Sequence, residues 1–280
     1  MIIDFHVHIV PPELKNQREK YVARDSVFAE MYASPKSKLF TAEELLASMD
    51  DAGVDLSVVQ NIGWTTPELC AETNDYIADA VRRYPDRLAG FGAVQPASGE
   101  TALTEVARCA GMGLRGIGEL RPDTQGFDLS DETLMAPLCD VMRRHDMPLL
   151  LHTSEPVGHT YPGKGSVTPD TLYPFITRHP ELTLVLAHWG GGLPFYALMP
   201  EVKLALANVY FDTAASPFLY HPDIYRVVAE VIGTENILFA SDNPLMPPRR
   251  PLAEIEALDF SAVVKGQISG GNAARLLGIG

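Results

Sequence analysis

The chain has 280 residues, 46% of them hydrophobic, and carries 36 acidic against 22 basic side chains for a formal charge of −14. That apolar content excludes a disordered chain, and the negative field disfavours nonspecific binding to nucleic acid or an anionic membrane. An anionic small molecule stays open as a ligand, because a local arginine pocket overrides the global sign.

In chain order, Ile2 to Phe5 reads as the first strand. Residues 41–52 (TAEELLASMDDA) read as a helix with Thr41 as N-cap, Glu44 three residues on as a capping box, and Gly53 as the stop. Val54 to Gln60 is the second strand, and 67–83 a helix opened by Pro67. Leu88 to Val94 is the third strand, 99–110 a helix, and Leu114 to Ile117 the fourth strand, ending at Gly118-Glu119. Residues 130–145 are a helix and Pro148 to Leu151 the fifth strand; 168–178 are a helix and Leu182 to Ala187 the sixth. A helix is expected over 192–206, with Pro194 and Pro200 as its weak points. Asn208 to Phe211 is the seventh strand, 222–232 a helix, Ile237 to Ala240 the eighth strand, and 251–278 a helical tail.

Short, almost wholly apolar strands alternating with amphipathic helices indicate a parallel sheet buried on both faces. Eight such units in one chain predict an α/β fold, a (β/α)₈ TIM barrel forming one catalytic domain over 1–280. A doubly wound open sheet is the alternative, but no glycine-rich loop follows the first strand. Residues 9–40 interrupt the rhythm on the catalytic face, as an insertion suited to a lid or a subunit contact, so a homodimer is possible. Cys70, Cys109 and Cys139 fall in segments read as helices without CxxC spacing, which argues against a zinc ribbon or redox motif. The start MIIDFHVH reads as a strand rather than a signal peptide, and no apolar run reaches membrane length, so a cytoplasmic protein is expected.

The chemistry-bearing residues sit at predicted strand ends. In His6-Val7-His8, residues two apart on a strand point the same way, so two imidazoles converge. Asp4 would share that phase one step deeper, bonding a ligand or a backbone group. His152 follows PLLL, His188 follows LTLVLA and Asp242 follows ILFAS, so these side chains share the barrel mouth where active sites lie. Neutral imidazole and carboxylate suit zinc by default, with manganese, cobalt or iron also fitting. Arg121, just past the fourth strand, suits a substrate carboxylate, and Arg249 and Arg250 are weaker candidates. His159 and Tyr161, in the loop EPVGHTYPGKG, overhang the mouth; Trp64 and Trp189 could wall an apolar pocket. Asn272 would tie down the final helix.

The ordered motifs DFHVHIVP, HTSEP, AHWGG, FASDNP and GGNAARLLG resemble the amidohydrolase superfamily from Ile3 to Leu277. More narrowly, they resemble its amidohydrolase-related branch, which includes aminocarboxymuconate-semialdehyde decarboxylase and related ring-acid decarboxylases. The resemblance implies one divalent metal on His6, His8, His152 and Asp242, with Asp242 also handling a proton and His188 as acid/base. A second metal is possible: two-metal relatives carry a bridging group at the fourth strand, often a carboxylated lysine, and here GIGE offers Glu119 instead. Metal-assisted hydrolysis of a small organic acid, lactone, ester or amide is the leading expectation. The alternative is nonoxidative decarboxylation of a cyclic or unsaturated carboxylic acid. A non-catalytic metal-binding scaffold would need a missing ligand, and none is missing; a nucleic-acid role has no basic stripe or motif to support it.

Overall fold

In the computed structural model, which describes residues 1–279, eight parallel strands pair in chain order around a barrel. They are β1 (Ile3–His8), β2 (Leu56–Gln60), β3 (Leu88–Gly92), β4 (Gly116–Leu120), β5 (Leu149–Leu151), β6 (Leu184–Leu186), β7 (Val209–Asp212) and β8 (Ile237–Leu238). The ring closes where the Phe5 amide donates to the Phe239 carbonyl at 2.9 Å, the Asp242 amide to His6 at 2.9 Å and the His8 amide to Asn243 at 2.8 Å. Every strand is buried along its length apart from the half-buried Tyr210, as a sheet covered on both faces requires. Phe5, Val58, Phe91, Leu150, Val185 and Leu238 belong to one apolar cluster with the final helix, Asn272–Leu277, at its base. Val7, Val59, Ile117, Leu149, Leu151 and Leu186 belong to a second, shared with the surrounding helices.

Local signals explain most boundaries. The capping box of Thr41 and Glu44 is present and Gly53 ends that helix in the left-handed conformation, as read from sequence. Thr66 caps the Pro67–Arg83 helix. Three expectations change. First, β4 runs on to Leu120, so Glu119 lies within the strand rather than at its exit. Second, no single helix spans 192–206: His188 to Gly192 all have φ between 56° and 89°, a left-handed turn, and a regular helix begins only at Pro200. The turn requires glycine at 191, because a Cβ there would sit 2.2 Å from the Ser154 carbonyl oxygen. Third, β1 carries a register shift between Asp4 and Val7 against β2, which breaks simple alternation. Asp4 is taken by Ser241, accepting from its amide at 2.8 Å and its hydroxyl at 2.5 Å, and burial pushes its carboxyl up to about 7.

The segment after β1 folds into three short helices, Pro12–Asn16, Arg18–Arg24 and Ser26–Tyr32, with a small core of their own. Phe28 stacks on Trp64 with ring centroids 5.5 Å apart. At the other end, the Asn272 amide donates to the carbonyls of Thr234 at 2.7 Å and Ile237 at 2.8 Å, tying the last helix to β8. Asn272→Ala strands both acceptors, the buried Ile237 carbonyl at about 1–3 kcal/mol and the half-buried Thr234 carbonyl at less. We expect a loss of about 2–3 kcal/mol in urea unfolding; an unchanged midpoint would remove this tie from the stability of the barrel.

Candidate metal centre and active site

Seven side chains from six strand ends meet at the C-terminal mouth: His6 and His8 from β1, Glu119 from β4, His152 after β5, His188 after β6, Asp212 closing β7 and Asp242 after β8. Glu119 is at the middle. Its Oε2 lies 3.7 Å from His6 Nε2 and 3.8 Å from His8 Nε2. Its Oε1 lies 2.8 Å from His152 Nδ1 and 3.6 Å from His188 Nε2. His6 Nε2 and His8 Nε2 are 3.0 Å apart, and Asp242 Oδ1 is 3.5 Å from His8 Nε2. His188 and Asp242 both have left-handed backbones (φ 56° and 65°), a conformation that costs non-glycine residues about 1–3 kcal/mol each. The fold holds both there to aim their side chains at this space.

The outer nitrogens of three histidines have fixed partners. His6 Nδ1 donates to Asp212 Oδ2 at 2.8 Å, His152 Nε2 to the Gly163 carbonyl at 3.0 Å, and His188 Nδ1 to the Ala214 carbonyl at 3.0 Å. A carbonyl oxygen can only accept, so each neutral ring has its proton on the outside and its lone pair facing Glu119. His8 differs, since its Nδ1 has no partner. Lone pairs and carboxylates converging in a nearly dry space repel unless a cation or protons lie between them, so the donor set fits a divalent metal.

Without a metal, protons take that place. Burial alone would lower the His6 pKa, but the charges of Asp212 and Glu119 raise it well above the ordinary histidine value. Burial likewise opposes the charged form of His188, yet the Glu119 hydrogen bond and the charges of Asp242, Glu119 and Asp212 push it up to about 9. Burial would raise Glu119, but His6 and His152 hold its carboxyl well below the usual range. Asp242 is lowered against its own burial, first by the hydrogen bond to His8. His152 is lowered by burial and by the Arg121 charge.

Above the centre opens a cavity of about 590 Å³. Glu119, Arg121, His152, His159, Tyr161, His188 and Asp242 all line it, so most of the residues singled out from sequence are brought together. The two tryptophans are not. Trp64 is fully buried under Phe28 with its indole nitrogen on Asn61, and Trp189 is fully buried against Tyr225 with its indole nitrogen on Ser216. Both are anchors in the packing behind the wall. Arg249 pairs with Asp51 and Arg250 lies over the Phe218 ring, both outside the lining. Sequence reading missed Asp212, although it ends an apolar strand just as Asp242 follows one. It also missed Tyr32, Lys36 and Lys38 of the insertion, which line the cavity.

A family model described as amidohydrolase matches residues 3–279, and the chain belongs to that family of enzymes. It is 24% identical over 335 residues to 2-amino-3-carboxymuconate-6-semialdehyde decarboxylase of Dictyostelium discoideum, spanning 99% of this chain and 91% of that one. It is 28% identical over 199 residues to 2-keto-4-carboxy-3-hexenedioate hydratase of a Sphingobium species, covering 60% and 56% of the two chains. Its fold matches the 5-carboxyvanillate decarboxylase of Novosphingobium aromaticivorans, solved with manganese, at a TM-score of 0.82 and 21% identity over 100% of this chain and 96% of that one. No helix among the described residues is long and apolar enough to cross a membrane.

Two outcomes follow from the geometry. Asp212→Asn weakens the hold on His6 and is expected to lower metal affinity about 10–100-fold, as loss of a ligand's outer partner does, read by competition with a chelating dye. Unchanged affinity would deny Asp212 that role. Metal binding at neutral pH should release protons, because His6 and His188 carry them below their raised pKa values. Calorimetry in buffers of different ionisation enthalpy measures the release, and binding should tighten as pH rises towards about 9. In metal-free protein the sign is opposite for stability: the His188 contribution is full below the unfolded histidine value and fades as pH rises through about 9.

Proposed function

We propose that this protein is a metal-dependent nonoxidative decarboxylase of a small unsaturated or aromatic acid carrying a second anionic group. One observation carries the reading. Arg121 is wholly buried on the cavity wall, and its Nε and Nη1 have no hydrogen-bond partner. Its Nη2 donates to the Gly163 carbonyl at 2.9 Å and to Glu30 at 3.3 Å. Unsatisfied guanidinium donors in a buried site call for an acceptor, and an anionic group of a substrate in the cavity supplies one.

Arg121 suits a group that the substrate keeps. Pairing it with the departing carboxylate would stabilise the ground state more than the transition state, in which that charge moves into the rest of the molecule. The departing carboxylate then lies towards Glu119 and the histidines. Lys36 and Lys38, both on the cavity lining and without an acidic partner among the described residues, favour entry of an anion into an otherwise acidic protein.

In the reaction the bond between carbon and carboxylate breaks, CO₂ leaves, and the electron pair left on carbon takes one proton. A divalent ion at the centre supplies positive charge for the substrate oxygens and for the electron density left behind. Manganese and zinc both suit a mixed imidazole and carboxylate set. Asp242 and His188 both line the cavity. Asp242 stands outside both the His6–His8–Glu119 and the Glu119–His152–His188 groups, and we assign to it the relay of a proton from solvent to carbon. The hydrolytic expectation gives way here because the relatives matched over nearly the whole chain bear decarboxylase names.

Manganese-loaded protein should be screened in D₂O against mono- and dicarboxylic unsaturated and aromatic acids. The expected result is one CO₂ per turnover with one deuterium on the carbon that lost it. Turnover that places solvent oxygen in the product without CO₂ would make the protein a hydrolase. Arg121→Leu should reduce kcat/KM by about 100-fold or more, the cost of losing a buried charged hydrogen-bond partner. A wild-type value in that variant would remove the anchor.

A further inference from the structure

We propose that Glu30, carried on the insertion after β1, competes with the anionic group of the substrate for Arg121 and so sets how tightly the cavity holds substrate and product. The inference rests on the reading of Arg121 as the anchor of a retained anion, and adds the group that opposes it.

A guanidinium offers a carboxylate two forks, Nε with Nη2 and Nη1 with Nη2. Nη2 belongs to both. On Arg121 that nitrogen already has two acceptors, the Gly163 carbonyl at 2.9 Å and Glu30 Oε1 at 3.3 Å, one for each of its hydrogens. Neither fork is therefore open, although Nε and Nη1 have no partner. An anion entering the cavity can take single hydrogen bonds from Nε or Nη1. To be held by a full fork it must displace an acceptor from Nη2.

The two acceptors differ in what holds them. The Gly163 carbonyl also accepts from His152 at 3.0 Å, and the chain just beyond it is pinned: the Gly165 amide donates to Ser154 Oγ at 2.9 Å and the Ser166 amide to Asp123 at 2.7 Å. Glu30 makes no other hydrogen bond among the described residues, and its side chain is 34% exposed. Its helix, Ser26–Tyr32, is tied at both ends. Asp25 accepts from the amides of Phe28 at 2.9 Å and Thr65 at 2.8 Å, and Arg18 donates to the carbonyls of Ser34 at 2.8 Å and Ser37 at 2.7 Å. Exchange at Nη2 thus needs only the rotation of one side chain at the rim, with the helix in place.

This arrangement has a use in turnover. Arg121 is wholly buried, and a buried charge without a counter-charge is costly. Glu30 supplies the counter-charge whenever the ligand does not, so a bound anion gains only its advantage over Glu30. In the decarboxylase reading the product keeps the anion that Arg121 holds, and an unopposed anchor would slow its departure. Glu30 returning to Nη2 releases it.

The test is calorimetric titration of isophthalate, an aromatic diacid, into manganese-loaded protein: wild type, Glu30→Gln, Arg121→Leu and the double variant. Removing a charged competitor for a hydrogen bond should lower Kd about tenfold in Glu30→Gln. In the Arg121→Leu background the same substitution should change Kd no more than about twofold. Arg121→Met serves if Arg121→Leu does not fold. Glu30→Gln binding no better than wild type overturns the competition, as does equal tightening with and without Arg121, which would reflect long-range charge alone. Wild-type affinity in Arg121→Leu removes the anchor and the competition together, whereas weakened binding there with no gain in Glu30→Gln leaves the anchor standing. None of these titrations measures CO₂ release, so the decarboxylase reading stands or falls separately.

Discussion

The Glu119 carboxylate, buried among four imidazoles, is the interaction on which the mouth of this barrel depends. Among the described residues no lysine or arginine pairs with it, and it is only 2% exposed. Its charge is tolerable only if positive charge stands close by, as protons on His6 and His188 or as bound metal. Protons and metal compete for the same lone pairs, which makes the protonation state of the centre and its metal affinity two views of one equilibrium.

Much of the surrounding structure serves to hold those lone pairs in place. Asp212 ties β1 to β6 from the end of β7 through His6 and the His188 amide. The left-handed turn from His188 to Gly192 passes so close to Ser154 that only glycine fits at 191, and the same turn sets the direction of His188. The Gly163 carbonyl, carried on the long loop after β5, accepts from His152 and from Arg121 together. His152 and Arg121, the proposed metal ligand and the proposed substrate anchor, are thereby fixed to one atom of one loop. Glu30 reaches Arg121 from the insertion, linking that anchor to the cover over the mouth.

The barrel was legible because its strands are short, apolar and evenly spaced, and because Thr41, Glu44, Gly53 and Pro67 mark helix ends by local chemistry. His6, His8, His152, His188 and Asp242 were legible because polar side chains directly after apolar strands stand out. The errors have physical causes. Residues 192–206 look helical by composition, but glycine at 190 to 192 permits a backbone that no periodicity encodes. A one-residue shift in β1 breaks the simple alternation expected there, although Asp4 does bond a backbone group as read, accepting from the Ser241 amide. Trp64 and Trp189 lie near the mouth in sequence, but their indole N–H groups find buried partners in Asn61 and Ser216, and an indole so satisfied packs inward. The pairing of Glu119 with two separate histidine sets depends on side-chain distances across the barrel, which strand order alone does not reveal.

Metal binding at this centre depends on which nitrogen of each histidine carries its proton. Nitrogen-15 spectra of histidine-labelled, zinc-loaded protein, assigned by single substitutions, read this directly. The account predicts N–H at Nδ1 of His6 and His188 and at Nε2 of His152, with Nε2 of the first two and Nδ1 of the third shifted by metal. The opposite tautomers in loaded protein, or ring nitrogens unmoved by zinc, would contradict it.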